Sequence, residues 1–300
     1  MSRHFPAGRI DAAELATAGG TALPDGKGVS LYGWQVETAK SAILSDARSD
    51  EVRRSLGNVL NVPEQLFYDN HLRLKHLASG LVLDFSAQDA LRCWRELDLP
   101  PVQVGHAEQW TQARHQDIKQ HMAVTLNYDW TYTTPYSGTV QPEAAKGSSA
   151  SGKAATWEQS TEAIDKALLL SRDPILFYDE VPLYESELDD NGVSSLIVKV
   201  RVMPKCWFVL LRFWLRVDGV LVRLWETRVC GRFHPDSASL DVTREIRRSE
   251  GTFAELRRDG APAEGPAYAD ADVASEALQA VAPTGVSLFQ IEKLVASGQP

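Results

Sequence analysis

The chain of 300 residues has little cysteine, no excess of basic charge and no long apolar run. Its three cysteines, Cys93, Cys206 and Cys230, are odd in number and widely spaced. This spacing argues against a disulfide framework or a CxxC motif and favours a reducing compartment. The net charge of −9 argues against nucleic acid as the main partner, because phosphate binding needs a basic surface.

Targeting and membrane segments are also missing from the sequence. Residues 1–20 contain no continuous apolar segment of the kind found in a secretory signal. The most apolar run, from Cys206 to Leu215, is interrupted by Arg212 and is too short to span a bilayer. With 44% apolar residues, the chain can still bury a substantial core. We therefore expect a cytoplasmic protein that does not bind a membrane.

The motifs of common enzyme and cofactor sites are absent, since the chain has no GxSxG, P-loop, GxGxxG or HExxH sequence. His71 and His76 would point to opposite faces of a strand and could not share a metal ion. Cys206 opens an apolar strand, which indicates a small core residue more than a nucleophile. No cofactor is expected.

An acidic cluster is the strongest candidate for chemistry in the sequence. Six carboxylates lie near the turn at Asn191-Gly192: Asp179, Glu180, Glu185, Glu187, Asp189 and Asp190. Paired carboxylates can act as acid and base or hold a cation. A metal-assisted hydrolase using the Asp179–Asp190 cluster is therefore the alternative function. The spacing lacks an EF-hand pattern, and a solvated turn or an electrostatic contact with a basic partner also explains it.

Residues 189–228 form the longest run of strand-type sequence. Apolar and polar residues alternate from Leu196 to Met203, which predicts one strand that ends before Pro204. Asp218-Gly219 between two apolar runs predicts a hairpin with a two-residue type I′ turn. The sequence therefore predicts a three-stranded antiparallel meander at the centre of the fold.

The predicted two-residue turn would give the hairpin two different faces. One face is apolar and pairs Val217 with Val220, Leu215 with Val222 and Phe213 with Leu224. The other face combines arginine and tryptophan and pairs Arg216 with Leu221, Trp214 with Arg223 and Arg212 with Trp225. This second face is either covered by helices or exposed as an interface centre, since Trp, Tyr and Arg dominate such centres.

Around the meander, composition and periodicity predict one domain over residues 29–248, of the α+β class and rich in strands. A helix is expected over residues 157–170. The remaining segments are expected to be flexible: a disordered leader over 1–28, an insertion over about 141–156, and a C-terminal tail over 249–300 that is mostly disordered with a weak helix.

Four segments, in this order, resemble the TIP-forty-one-like family, also called TOR signalling pathway regulator-like proteins: VPEQLFYDNHLRLKHLASGLVLDFSAQDALRCW, YDWTYTT, ELDDNGVSSLIVKVRVMP and LLRFWLRVDGVLVRL. The first is similar to the family's N-terminal hairpin and helix. The match runs from Trp34 to Arg228 and leaves out the leader, the insertion and the tail.

The resemblance implies an antiparallel β-sandwich with a central meander and peripheral helices. It also implies a non-enzymatic regulator that acts in TOR signalling. Its partner would be the catalytic subunit of type-2A-like serine/threonine protein phosphatases.

Seven residues are implied as partner contacts by the resemblance. Asp89 matches the acid of the family's F-N-A-x-D-A-L pattern and equally fits a capping box that begins at Ser86. Ile164 follows the insertion and fits either a contact or the core. Asp129 and Trp130 lie in YDWTYTT, where core packing is the alternative for the aromatic residues.

The other three implied contacts are Leu224, Glu226 and Arg228, where the last strand of the meander becomes charged. The family usually has D-T-R where this chain has Glu226-Thr227-Arg228. The longer carboxylate keeps the charge and changes its reach.

Overall fold

The computed structural model describes residues 8–56, 62–93, 131–142, 155–188, 191–234, 236, 239–261, 268, 271–280 and 288–296. These residues form two antiparallel sheets with helices at the periphery. The predicted α+β, β-rich sandwich with a central meander is confirmed.

The described strands are β1 Arg9–Ile10, β2 Thr21–Ala22, β3 Gly28–Leu31, β4 Trp34–Ala39, β5 Gln65–Leu66, β6 His71–His76, β7 Leu81–Ser86, β8 Thr139–Pro142, β9 Ala155–Gln159, β10 Phe177–Ser186, β11 Gly192–Val202, β12 Cys206–Val217, β13 Leu221–Arg232, β14 Val242–Thr252 and β15 Leu288–Ala296. The described α-helices are α1 Ala12–Thr17, α2 Asp46–Ser55, α3 Ala87–Cys93, α4 Lys166–Leu169, α5 Phe253–Arg258 and α6 Ala271–Ala280. None of these helices is long and apolar enough to cross a membrane.

The larger sheet is organised around the predicted meander of β11, β12 and β13. Its strand order is β1-β10-β11-β12-β13-β14-β15-β9, and β5 also pairs with β10. The three meander strands pair over nearly their whole length and are rich in β-branched and aromatic residues, which suit a pleated surface. The prediction of an antiparallel meander is confirmed.

The smaller sheet has the strand order β2-β3-β4-β6-β7-β8. Tyr32 and Gly33 connect β3 to β4, and both have positive φ, as a two-residue type I′ hairpin requires. β6, β7 and α3 form the hairpin and helix that the resemblance implies. This sheet supplies the second layer of the sandwich.

The main core lies between the two sheets. Trp34 of the smaller sheet packs on Trp207 of the larger sheet with ring centroids 5.0 Å apart. A buried polar contact also joins the layers, because Asp179 Oδ2 accepts a hydrogen bond from Thr38 Oγ1 at 2.6 Å and Asp179 Oδ1 accepts one from Lys40 Nζ at 2.5 Å. With both inner faces in one core, the outer faces of the two sheets point in opposite directions.

The turn between β12 and β13 differs from the predicted turn by one residue. Val217 pairs with Leu221, so the loop contains three residues, Asp218–Val220. Only Gly219 has a positive φ, at 72°, whereas a type I′ turn needs a positive φ at Asp218 as well. The two-residue turn is therefore wrong, and the φ pattern fits a type II turn.

One backbone hydrogen bond within the turn and one to Phe253 accompany this register, which reverses the faces of β13. The N–H of Val220 donates to the carbonyl of Val217 at 2.9 Å, and the carbonyl of Val220 accepts from the N–H of Phe253 at 3.0 Å. A slip of one residue moves every side chain of a strand to the opposite face. The predicted cross-strand pairs are therefore wrong: Val222 and Leu224 share the outer face with Arg212, Trp214 and Arg216, while Arg223 and Trp225 share the inner face with Phe213 and Leu215.

Two apolar clusters cover opposite ends of the outer face of the larger sheet. The first, which we call the helix cluster, consists of Trp214, Val222, Leu224, Phe253, Leu256, Tyr268, Ala274 and Leu278. The second, the cysteine cluster, consists of Ile164, Met203, Cys206 and Cys230, with Leu168, Leu169 and Phe208 packed against it. Cys206 is fully buried there, which confirms its prediction as a core residue.

The described parts of both terminal segments belong to the sheets, which differs from the predicted leader and tail. β1 pairs with β10 and β2 pairs with β3, within residues 1–28. In the tail, β14 continues to Thr252 and β15 pairs with β14, while α6 lies where a weak helix was expected. These segments have little periodicity of their own, and pairing with the sheets supplies their backbone hydrogen bonds.

The predicted helix over residues 157–170 is replaced by strand β9 and the short helix α4. β9 pairs with β15, so a partner distant in sequence overrides the local helical pattern. α4 begins after Asp165, whose side chain accepts a hydrogen bond from the N–H of Ala167 at 2.9 Å. Of the predicted insertion over 141–156, residues 143–154 lie outside the described residues.

We predict that Gly231→Ala lowers the free energy of unfolding by about 1–3 kcal/mol, the usual effect of overpacking a core. Gly231 lies opposite the fully buried Trp207, and a Cβ at this position would overlap the indole ring. Urea unfolding measures the change. Gly251→Ala is the matched control in the neighbouring strand, where the new Cβ would meet a flexible Leu278 methyl group at 3.1 Å. Equal stability of Gly231→Ala and the wild type would contradict the packing described here.

Candidate partner-binding surface

Two rows of side chains cross the outer face of the larger sheet between the helix cluster and the cysteine cluster. The strand registers align five residues in each row. The first row is Ile197, Arg212, Glu226, Arg247 and Phe289, and the second row is Lys199, Leu210, Arg228, Glu245 and Ile291. We call these ten residues the outer trough. Five strands about 4.8 Å apart make it about 19 Å long.

The trough combines four apolar with six charged side chains. Phe289 is 59% exposed, and Ile197, Leu210 and Ile291 are partly exposed. At the β11–β12 end of the trough, an open groove of about 520 Å³ passes Trp214 and the start of α6. The two apolar clusters form the walls. This arrangement resembles an interface more than an enzyme pocket, because the apolar and charged groups are spread across an open face.

Glu226 is the electrostatic centre of the trough and is only 3% exposed. Its Oε1 accepts hydrogen bonds from Arg212 Nε at 2.9 Å and Nη2 at 2.7 Å, and its Oε2 accepts one from Arg228 Nη2 at 2.7 Å. Arg212 also donates to Asp272 on α6 at 2.9 Å. Burial alone would lower the pKa of Arg212, but Glu226 and Asp272 raise it above its ordinary value.

The burial of Glu226 changes the role expected of the charged residues at the end of the meander. Its carboxylate is enclosed by Arg212 and Arg228, whereas the Arg228 side chain is 36% exposed. The guanidinium of Arg228 is therefore the more exposed group at this part of the surface. Glu226 holds it in place.

Ile164 lies at the cysteine-cluster wall of the trough. Its backbone N–H donates to Glu245 Oε1 at 2.8 Å, and its side chain is 7% exposed. The side chain of Ile164 is therefore packed in the core, and the backbone of Ile164 forms part of the wall. Leu224 is likewise buried, in the helix cluster under α5 and α6.

Asp89 lies on the outer face of the smaller sheet, away from the outer trough. Its N–H donates to Ser86 Oγ at 3.4 Å, its Oδ1 accepts from Arg92 at 3.0 Å, and its Oδ2 accepts from Thr139 Oγ1 at 2.7 Å. It lines a groove of about 490 Å³ together with Tyr68, Asp69, Asn70, His71, Arg73, Asp84, Ser86, Gln88 and Gln141. The structure does not bring Asp89 together with Glu226, and Asp129 and Trp130 lie outside the described residues.

Three trough residues could not be assigned to a surface from the sequence. Arg247 and Phe289 come from β14 and β15, which the sequence placed at the end of the domain and in the tail. The sequence assigned Arg212 to the face of arginine and tryptophan residues and did not decide whether that face is covered by helices or exposed. The apolar run LFQIEKLVA after Pro283-Thr284-Gly285 was the available signal for β15.

The acidic cluster of the alternative hydrolase does not assemble into one site in the described residues. Asp179 contacts Lys40 and Thr38 in the core, whereas Glu180 pairs with Lys199 at 2.9 Å on the surface. Asp189 and Asp190 lie outside the described part of the chain. Among described residues, no three His, Cys, Asp or Glu side chains are grouped closely enough to hold a metal ion.

We predict that Glu226→Ala lowers the free energy of unfolding by about 2 kcal/mol. The substitution removes the carboxylate that Arg212 and Arg228 share and leaves Arg212 with Asp272 alone. The partial exposure of both arginines makes the effect smaller than for a fully buried pair. Urea unfolding measures the change. Asp69→Ala is the control, because it removes the carboxylate from a half-exposed pair with Arg48 and should change stability by less than about 1 kcal/mol. Equal effects would contradict the central position of Glu226.

We also predict a pH dependence for Asp84, which lines the Asp89 groove and is 7% exposed. Burial raises the pKa of its carboxyl group, and the nearby guanidinium of Arg73 only partly opposes this. The folded state therefore holds the proton more tightly than the unfolded state, so the contribution of Asp84 to stability falls as the pH rises.

The test compares the melting temperatures of Asp84→Asn and the wild type between about pH 4 and pH 7. The variant should gain stability relative to the wild type as the pH rises. A difference independent of pH would show that Asp84 titrates as it does in the unfolded chain.

Comparison with known proteins gives the chain its family. The model of the TIP41-like family matches residues 65–257, which confirms the resemblance found in the sequence. A TIP41-like protein of Arabidopsis thaliana is 43% identical over 279 residues, covering 91% of this chain and 94% of the relative. A TIP41-like protein of Rattus norvegicus is 40% identical over 223 residues, covering 74% and 76%.

A fungal relative carries a more specific name. The type 2A phosphatase activator TIP41 of Saccharomyces cerevisiae is 32% identical over 249 residues, covering 78% of this chain and 65% of the relative. The match of the family model to most of the chain and the extent of these similarities lead to one conclusion: the chain belongs to the TIP41-like family.

Proposed function

We propose that the chain is a non-enzymatic regulator that binds the catalytic subunit of type-2A-like serine/threonine protein phosphatases through the outer trough. The names of the Saccharomyces cerevisiae and Schizosaccharomyces pombe relatives, both type 2A phosphatase activators, support a partner of this class. The observation that carries the site is the pair of rows of arginine, apolar and aromatic side chains between two packed walls.

The trough is too small to form the whole of the proposed interface and would form its centre. A stable interface uses about 20–30 residues on each side, and the trough supplies ten. The partner must therefore also cover the walls, formed by α6 at one side and the segment around Ile164 at the other. This gives the buried Leu224 and Ile164 an indirect role, because they fix the position of the walls that the partner contacts.

Arg228 is the proposed central contact. Its guanidinium is partly exposed, is held by Glu226 and has further donor positions that the described residues leave available for a carboxylate of the partner. A cation held in this way loses little side-chain entropy on binding, which is typical of an interface hot spot. We propose that Asp89, on the opposite outer face, stabilises α3 through its ion pair with Arg92 and connects this helix to Thr139.

We further propose that this regulation takes place in TOR signalling and in the cytoplasm. The resemblance to TOR signalling pathway regulator-like proteins supports the pathway. The absence of a membrane-crossing helix among the described residues is compatible with this location. A tagged full-length chain that is found outside the cytoplasm would contradict the location.

We predict that Arg228→Gln weakens binding to a purified type 2A catalytic subunit by about tenfold, the loss expected for one charge-assisted contact. Biolayer interferometry measures the dissociation constants. The matched control is Arg48→Gln, since Arg48 is also partly exposed and paired with a carboxylate but lies on α2. We expect the control to bind like the wild type.

Two results would contradict this proposal. A wild-type chain that binds none of the type-2A-like catalytic subunits would reject the function. A folded Arg228→Gln variant that binds normally, together with a large loss for Asp89→Asn, would place the contact on the smaller sheet instead.

A further inference from the structure

The first residues of β15 form an edge of the larger sheet. β9 pairs only with residues 292–296 of β15, so within the described chain Leu288–Gln290 pairs on one side, with β14. The N–H of Ser160 donates to the carbonyl of Ile291 at 2.8 Å, so the polar backbone groups of Ile291 point away from β14. With the two-residue period of a strand, those of Phe289 point towards the same open edge.

Two consecutive arginines on β14 lie one strand in from this edge, one on each face of the sheet. Arg247 is opposite Phe289 on the outer face, and Arg248 is opposite Leu288 on the inner face. Neither arginine has an ion pair with a carboxylate among the described residues. The chain carries 40 acidic residues, so their absence here is not a result of composition.

Arg248 is held in place without a counter-charge. Its guanidinium lies 4.6 Å from the centre of the Trp225 ring, and Nη2 donates to the carbonyl of Pro135 at a long 3.5 Å. Burial lowers its pKa, and no nearby carboxylate raises it again. A half-buried cation of this kind lowers the stability of the free protein.

Arg244 shows what a fully partnered arginine looks like on the same face of the same strand. It lies 4.1 Å from the centre of the Trp157 ring, and its Nε and Nη2 contact Glu292 Oε2 at 2.7 and 2.6 Å. Arg248 has the equivalent tryptophan and lacks the equivalent carboxylate. Among the described residues, the position that Glu292 fills beside Arg244 has no carboxylate beside Arg248, so this site could accept one from a binding partner.

We propose that the edge of β15 at Leu288–Gln290 is a docking surface for an extended acidic segment of the phosphatase, added beside β15 as a further strand. This proposal rests on the proposed function. Neighbouring side chains of an added strand point to opposite faces of the sheet. Two adjacent acidic residues of the segment would point to the two faces. The backbone of β14 lies about 10 Å from the added strand, so the long side chains of Arg247 and Arg248 must extend past Phe289 and Leu288 to meet them. Phe289, exposed at the edge, packs against an apolar residue of the same segment.

The first experiment uses melting temperatures to distinguish an arginine that serves binding from one that stabilises the fold. Arg248→Met removes an uncompensated cation and keeps the apolar contact with Trp225, so the melting temperature should stay the same or rise. Arg244→Met is the matched control and should lower it, because Glu292 is left without its partner. A fall for Arg248→Met as large as that for Arg244→Met would overturn the proposal.

The second experiment measures binding of the full-length chain to a purified type 2A catalytic subunit. Arg248→Met should weaken binding by about tenfold although the fold is intact. Phe289→Ala tests the side chain, and Phe289→Pro also removes the N–H that faces the edge. Proline is tolerated at such edge positions. Phe289→Pro should therefore bind more weakly than Phe289→Ala.

The outcomes distinguish this proposal from the proposed function. If Arg228→Gln loses affinity while Arg248→Met and Phe289→Pro bind like the wild type, the edge is not a docking surface and the trough still is. If the wild-type chain binds no type 2A catalytic subunit, both proposals are overturned.

Discussion

The turn at Asp218–Val220 is the constraint on which the rest of the surface depends. Because it holds three residues, β13 directs Glu226 and Arg228 outwards and Trp225 inwards. The same register continues into β14 and β15 and aligns the charged residues in two rows. A shift by one residue would turn the charges of the trough towards the core. The hydrogen bond between Val220 and Phe253 couples this register to the helices of the trough wall.

Acidic and basic residues have different positions in the trough. Glu226 and Glu245 are buried and bonded to Arg212, Arg228 and the backbone of Ile164. The guanidinium groups of Arg228 and Arg247 lie closer to the solvent. A chain with a net charge of −9 thus presents a local cationic surface. Charge complementarity between a cationic surface and an acidic protein governs orientation and selectivity more than affinity.

The sequence predicts the fold class because the patterns that indicate strands and hairpins lie within short segments of the chain. Alternating residues in β11 and the flanking runs of β12 and β13 predict the meander, and the hairpin of β6 and β7 follows the same period. Asp218-Gly219 alone favours a two-residue turn. The three-residue turn also accommodates the positive φ of Gly219, and its Val220 carbonyl accepts a hydrogen bond from Phe253, which is distant in sequence.

The candidate site was less predictable than the fold, because five strands from residues 192–296 contribute to it. Glu226 and Arg228 lie in the middle of β13, and the enclosure of Glu226 depends on Arg212 from the neighbouring strand. Arg247 belongs to β14, which pairs with the meander strand β13, and Phe289 belongs to β15, which pairs with β14. Asp89 shares a sequence pattern with the family and lies on the opposite face of the sandwich.

Hydrogen–deuterium exchange of the full-length chain, with and without a purified type 2A catalytic subunit, tests whether the outer trough binds the phosphatase. Exchange should become slower on binding in residues 208–212, 224–228 and 245–248 and in the edge amide of Phe289. Exchange in α3 and the strands of the smaller sheet should stay unchanged. Protection confined to α3 and the Asp89 groove, with no change in the outer trough, would contradict binding through the trough.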